Sequence, residues 1–191
     1  MKILVSANIY SYITYREKVS NDLNELLLKN PEDHLIQYIK LNESRMNRLD
    51  KTTKLTEEFR QKLHQLTQKY TFYVISEGWC GDAAQILPVI NKIAEESTKI
   101  DLKIIFRDDN IDVMNQYLTN GSQAIPKLII LDSSLNEIGI WGPRPKEAAQ
   151  IIIEDKNKNG IVTDQGKAEL QLWYNKDKGV SIQNEILALL K

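Results

Sequence analysis

With 191 residues, 42 % of them hydrophobic and 27 % charged, the chain is long enough for one domain with extensions around a real core. A formal net charge of −1 excludes a global field that would draw it to nucleic acid or an acidic membrane. The apolar runs are shorter than a bilayer span, the opening stretch Met1 to Ala7 is too short for a secretory signal, and a single cysteine allows no internal disulfide, so a cytoplasmic protein is expected.

The first 70 residues read as helical. Ile9, Tyr12, Ile13, Arg16, Val19, Leu23, Leu26 and Leu27 mark one face at helical spacing, until Asn30-Pro31 breaks it. A second helix carries Leu35, Tyr38, Ile39, Met46 and Leu49, with Arg45, Arg48 and Lys51 toward its end as a small basic face or, as the acidic neighbours Glu43 and Asp50 favour, a solvated surface stripe. A third runs from Thr56, a plausible N-cap, through Phe59, Leu63 and Leu66 to Tyr70.

Beyond Tyr70 the elements alternate. Strands are expected over 71–76, 102–107, 127–131 and 137–141, with helices over 81–96 and 111–119 and after Pro145, an acceptable first-turn residue. The order β-α-β-α-β-β-α predicts a mixed sheet with parallel crossovers and one antiparallel pair, covered by helices. From Asp155 the chain turns polar. It then forms a helical segment with Leu170, Leu172 and Trp173, and closes with a helix over 182–190. The expected organisation is an N-terminal helical arm (1–54), a central α/β domain (55–154) and a C-terminal helical extension packed on that domain (155–191).

Cys80, the only cysteine, lies in Glu77-Gly78-Trp79-Cys80-Gly81-Asp82-Ala83, between the first strand and the helix carrying Leu87, Ile90 and Ile93. Four landmarks in this order resemble the thioredoxin family: Trp79-Cys80-Gly81 at a strand-to-helix turn, Pro88 eight residues after Cys80, Ile125-Pro126 before the third strand, and Gly142 ending the last. The similarity spans roughly Leu55 to Glu154. The motif is closest to a poorly characterised bacterial branch with a helical N-terminal arm. The resemblance implies a thioredoxin-like fold, a cis peptide bond at Pro126, and an Ile125 backbone N–H and C=O available to an extended peptide over Cys80. The departures are equally specific. Ala83 stands where the second cysteine would be, Val74 where a buried acid would be, and Leu102 to Phe106 offers an apolar residue where its lysine partner would be. Without a resolving thiol a dithiol reductase cycle is excluded.

A helix N-terminus favours the thiolate by roughly 0.3–1 kcal/mol, whereas a carboxylate on Asp82 about 7 Å away opposes it by roughly 2 kcal/mol at an effective dielectric near 20, or about 0.6 kcal/mol in bulk water. Glu77 adds to the opposition and Arg144 could fold back to compensate. Cys80 is therefore expected to be uncovered and only modestly activated, the alternative being a small, semi-buried hydrophobe with an inert thiol. Asp82 has a second reading as a first-turn residue satisfying backbone N–H groups, and Trp79 as an apolar lid.

Three functions follow. The first is monothiol exchange or deglutathionylation. Catalytic Cys80 would act on a disulfide- or thiol-bearing substrate framed by Trp79, Gly81, Asp82, Ile125 and Pro126. Glutathione or another low-molecular-weight thiol would serve as co-substrate, with no bound cofactor. The second is a non-catalytic module binding a peptide or protein in the same groove. The third is a sensor in which Cys80 is oxidised and resolved elsewhere. Asp155 to Gly160 imitates the start of a calcium loop, but Gly166 stands where the bidentate glutamate belongs. His34 and His64 lack ligands at zinc spacing.

Overall fold

A computed structural model describes residues 8–190, so the reading of Met1 to Ala7 falls outside the described residues. Among them, no helix is long and apolar enough to cross a membrane.

The sheet sets the frame. β1 (Tyr70–Ser76) and β3 (Lys127–Leu131) are buried almost throughout, β2 (Ile100–Phe106) and β4 (Glu137–Trp141) only in part, and the order is β2-β1-β3-β4. Central strands covered on both faces read as unbroken apolar runs, which is what Phe72 to Ile75 and Leu128 to Leu131 supply. β1 pairs with β2 in parallel, through the crossover helix α4 (Gly81–Glu96), and with β3 antiparallel. β3 and β4 form the expected hairpin. The sheet is mixed and helix-covered as the pattern predicts, but it holds two antiparallel pairs rather than one. The segment after β2 returns β3 to β1 from the opposite end.

Val74 and Ile104 are register partners and fully buried, so the site of the missing acid is an apolar β1/β2 contact. α4 contains buried Pro88 in its interior. Both Ile125-Pro126 and Gly142-Pro143 are cis. Gly142 has φ +105°, and a Cβ there would run into the Pro126 carbonyl, so this close approach admits only glycine.

The arm consists of α1 (Tyr12–Lys29) and α2 (Leu35–Thr52), and α3 (Glu57–His64) follows it. The buried face of α1 is Tyr12, Tyr15, Val19 and Leu23. Ile13, expected inside, is 70 % exposed, because the buried stripe runs through residue 15 and residue 13 lies off it. Ile9 also precedes the helix; its neighbour Tyr10 instead bridges Ile104 on the β2 edge, N–H to O in both directions at 2.8 Å. Thr56 is the α3 N-cap as expected, its Oγ1 accepting the Phe59 N–H. That helix stops at His64, and Tyr70 opens β1 by donating its N–H to the Lys99 carbonyl. α2 lies along α4, and the arm shares one hydrophobic cluster with the sheet.

Gly78, just before the cysteine, touches α1 directly: a Cβ would stand 2.8 Å from Val19 Cγ1. Gly78→Ala is therefore expected to cost about 1–2 kcal/mol by overpacking. Adding Val19→Ala should return much of it, and strictly additive losses in urea unfolding would contradict the contact.

After the short α5 (Ile111–Met114), α6 (Lys146–Asn159), α7 (Asp164–Asp177) and α8 (Val180–Leu187) complete the chain. α6 continues through Asp155 to Asn159, so this stretch is helix rather than an ion loop. Asp155 accepts the Thr163 N–H (2.6 Å) and Oγ1–H (2.8 Å) and thereby starts α7. Fully buried Gln183 on α8 accepts the Thr56 N–H (2.8 Å) and donates to the Lys54 carbonyl (3.2 Å), which ties the extension to the arm–domain junction.

Candidate functional site

Cys80 is the N-cap of α4, with extended backbone (φ −77°, ψ 114°). Its Sγ accepts the Ala83 N–H (3.5 Å) and donates to the Ile125 carbonyl (3.4 Å). The residue is only 8 % exposed. Burial is the main reason its thiol is pushed up to about 12. Asp82 pushes the same way, and the Ala83 and Asp82 N–H groups and Arg144 oppose them. The expectation of an uncovered, modestly activated sulfur is thus corrected. The balance drawn from sequence left out desolvation, which here exceeds the helix-terminus effect.

Arg144 does fold back, but onto Asp82. Its Nη2 sits 2.6 Å from Asp82 Oδ2, while the Tyr174 hydroxyl donates to Asp82 Oδ1 at 2.9 Å. Burial, then Asp82, holds the Tyr174 hydroxyl well above its usual range. Asp82 is therefore neither a simple first-turn acceptor nor an exposed group. It is a junction joining the start of α4, the Gly142–Pro145 turn and α7. Glu77 is engaged elsewhere, Oε1 accepting the Asp108 N–H at 2.8 Å.

Cys80 lies on the floor of a cleft of about 600 Å³. One wall is α2, presenting Tyr38, Leu41 and Arg45; the facing wall is Ile152, Leu170 and Gln171 from α6 and α7. Trp79, Ile125 and Pro143 close the remaining sides. Trp79 is half-buried, with the Arg107 guanidinium 4.8 Å above its ring, so the lid expected from sequence is a cation-capped one. Gly81 leaves room for Arg45, whose Nη1 would be 3.6 Å from a Cβ at that position. Pro126 is buried behind Ile125 and does not line the cleft. The Ile125 N–H has no partner among the described residues, but its carbonyl already holds the Cys80 thiol.

Every residue expected at the site is thus brought together within this region, with Pro126 as backing. Sequence reasoning missed the walls. Pro143 and Arg144 carried a signal, since Gly142-Pro143-Arg144-Pro145 fixes a backbone around one cation. Tyr174, 92 residues from Asp82, carried none. Arg45 was read as part of a surface stripe with Arg48 and Lys51. The structure separates them: Arg48 donates to Asn175 on the outside, and Lys51 is exposed. Among the described residues no group of three or more His, Cys, Asp or Glu side chains could hold a metal ion.

A protein of unknown function from Pseudomonas aeruginosa has a similar structure, with TM-score 0.61 and 22 % identity over 78 % of this chain and 83 % of that one. An HIV epitope scaffold is similar with TM-score 0.60 and 19 % identity, over 80 % of this chain and 88 % of that one. At such identities the likeness is one of fold. No functionally curated protein matches the chain. A family model described as thioredoxin matches residues 29–158, which takes in α2, the whole sheet, the Cys80 turn and α6. On that match, and on a mixed sheet that sets Cys80 at a helix N-terminus beside Ile125-Pro126, the chain belongs to the thioredoxin family.

Proposed function

We propose that this protein is a thioredoxin-fold binding module whose cleft seats an extended peptide segment of a partner protein without covalent chemistry. The observation that carries this reading is the state of Cys80. Its sulfur is buried, neutral and donating to the Ile125 carbonyl at the floor of an open cleft. The Ile125 N–H, without a partner among the described residues, is the backbone donor for the segment. The cytoplasmic setting belongs to the same reading and rests on the single cysteine.

The magnitudes favour binding over exchange as the resting activity. A thiol near 12 rather than the usual 9 holds about three orders of magnitude less thiolate at neutral pH. Higher intrinsic nucleophilicity of the more basic sulfur recovers roughly 1.4 of those orders. Iodoacetamide should therefore alkylate folded Cys80 about 30–100-fold more slowly than the urea-unfolded chain, before any hindrance of access. Equal rates in the two states would contradict this.

One observation keeps monothiol exchange as a second reading: the Ala83 N–H points at Sγ from the start of α4 on the cleft floor. In that reading the Cys80 thiolate attacks a substrate disulfide and expels one of its sulfurs as a thiol; glutathione or a similar thiol then attacks the sulfur left on Cys80, which frees the Cys80 thiol and carries the substrate off as a mixed disulfide with the external thiol. Intact mass after oxidised glutathione under native conditions separates the two. The binding reading predicts an unmodified chain; a glutathione adduct on Cys80 favours exchange.

A further inference from the structure

The rim of the cleft is unbalanced in charge. Arg45, Arg107, Arg144 and Lys167 line it, and Asp82 is its only carboxylate. Three of the four cations are matched. Arg144 pairs with Asp82 (2.6 Å), Arg107 with Asp108 (2.7 Å) and Lys167 with Asp164 (2.9 Å). Arg45 has no carboxylate partner among the described residues.

Arg45 is nonetheless held in place. Its Nη1 donates to Asn42 Oδ1 (3.1 Å), and Asn42, only 2 % exposed, donates Nδ2–H to the Gly78 carbonyl (3.0 Å). A buried amide therefore fixes the guanidinium over Gly81 at the mouth of the Cys80 turn. One turn and two turns earlier on the same helix face stand Leu41 (49 % exposed) and Tyr38 (53 % exposed), both lining the cleft. A second donor points to the same need: Arg144 Nε is buried without a hydrogen-bond partner. An arginine that is half-buried, positioned and unmatched leaves four donors for an acceptor that the chain does not provide.

We infer that the occupant of the cleft is a carboxylate-bearing peptide segment, its acid held by Arg45 above Gly81 and its neighbouring apolar side chains laid against Leu41 and Tyr38. The inference rests on the binding reading above. The carboxylate has two sources, an Asp or Glu side chain or a chain terminus, and Arg45 reads the chemistry common to both. Side chain and backbone then divide the work. Arg45 selects the charge, and the Ile125 N–H aligns the strand.

The test uses the full chain and a degenerate octapeptide pool with one position fixed in turn as Asp, Glu, Asn or Gln. The pool is offered with free and with amidated C-termini, and retained peptides are counted by mass spectrometry. Leu41→Asp, which places an acid in the cleft at an exposed position, sets the background. Retention of acid-fixed or free-terminus peptides roughly tenfold above their amides is expected, collapsing in Arg45→Gln and reversing toward basic peptides in Arg45→Glu. Enrichment in the amidated arm assigns the side-chain source, and enrichment only with free termini assigns the terminal one. Peptides retained without acid preference, or with one that Arg45→Gln leaves unchanged, overturn the inference and leave the cleft as a binding site. Retention no higher than in Leu41→Asp overturns both.

Discussion

Replacing Asp82 by alanine is expected to cost about 3–5 kcal/mol of folding stability, the loss typical of a buried pair deprived of one partner. The Asp82 side chain is 10 % exposed and that of Arg144 26 % exposed. Removing the carboxylate leaves a guanidinium whose Nε already lacks a partner, and it strips the buried Tyr174 hydroxyl of its acceptor. Arg144 is exposed enough to swing toward water, so the lower end of the range is the better figure. For a chain of this length about 3 kcal/mol corresponds to a fall in Tm of roughly 6–12 °C. Asp82→Leu combined with Arg144→Met should cost less than Asp82→Ala alone, because no charge is then stranded. A double-mutant cycle by thermal unfolding measures both. Additive losses would show that the contact carries no energy of its own.

Glu77→Gln is expected to alter how stability depends on pH. Glu77 is 8 % exposed and its carboxyl is raised to about 7, chiefly by burial. The Asp108 N–H and Arg107 work against that shift, while the Asp108 and Asp109 carboxylates add to it. A carboxyl raised on folding binds more protons in the native than in the unfolded state between the two values. Its contribution is therefore fully present below about 4.5 and declines as pH rises, until it is lost above about 7. The size is roughly 3 kcal/mol across that window. Other carboxyls act in the opposite sense: Glu96 and Asp155 are lowered, by Arg60 and by the Thr163 N–H respectively. The comparison must then be variant against parent. Glutamine keeps an oxygen for the Asp108 N–H and removes the titration. Urea midpoints from pH 4.5 to 8 should decline more steeply in the parent than in Glu77→Gln. Parallel curves would mean that the carboxyl titrates alike in both states.

Local pattern made much of the architecture legible. β1 and β3 announce themselves as uninterrupted apolar runs, and α4 by Leu87, Ile90 and Ile93 after a turn. Thr56 was readable as an N-cap because capping is a property of neighbours three residues apart. What failed was the reach of each pattern. Ile13 is as apolar as Val19, yet it lies off the buried stripe, and nothing local says where a stripe ends. Tyr70 fits a helical face by spacing, but its backbone is claimed by Lys99, 29 residues on.

The site divides the same way. Cys80, Ile125 and Gly142 are placed by their own turns and were readable. Burial of the sulfur was not: it sits against the Ile125 carbonyl and the Ala83 N–H, on the floor of a cleft whose walls include residues of α2, α6 and α7 far from it in sequence. The same cysteine and the same helix terminus, left open to water, would have favoured the thiolate. Buried as it is, with Arg144 turned onto Asp82, the sulfur stays protonated and holds the Ile125 carbonyl.

On the proposed reading the cleft binds its peptide while the Cys80 sulfur remains a spectator. Offering the degenerate octapeptide pool to Cys80→Ser and to the parent, first without reductant and then with it, tests this, since serine keeps a donor for the Ile125 carbonyl and removes the thiol. Retention within about twofold of the parent is the predicted result, as for a surface that loses no net hydrogen bond. Loss of retention in Cys80→Ser, matched by peptide released from the parent only on reduction, would contradict the account.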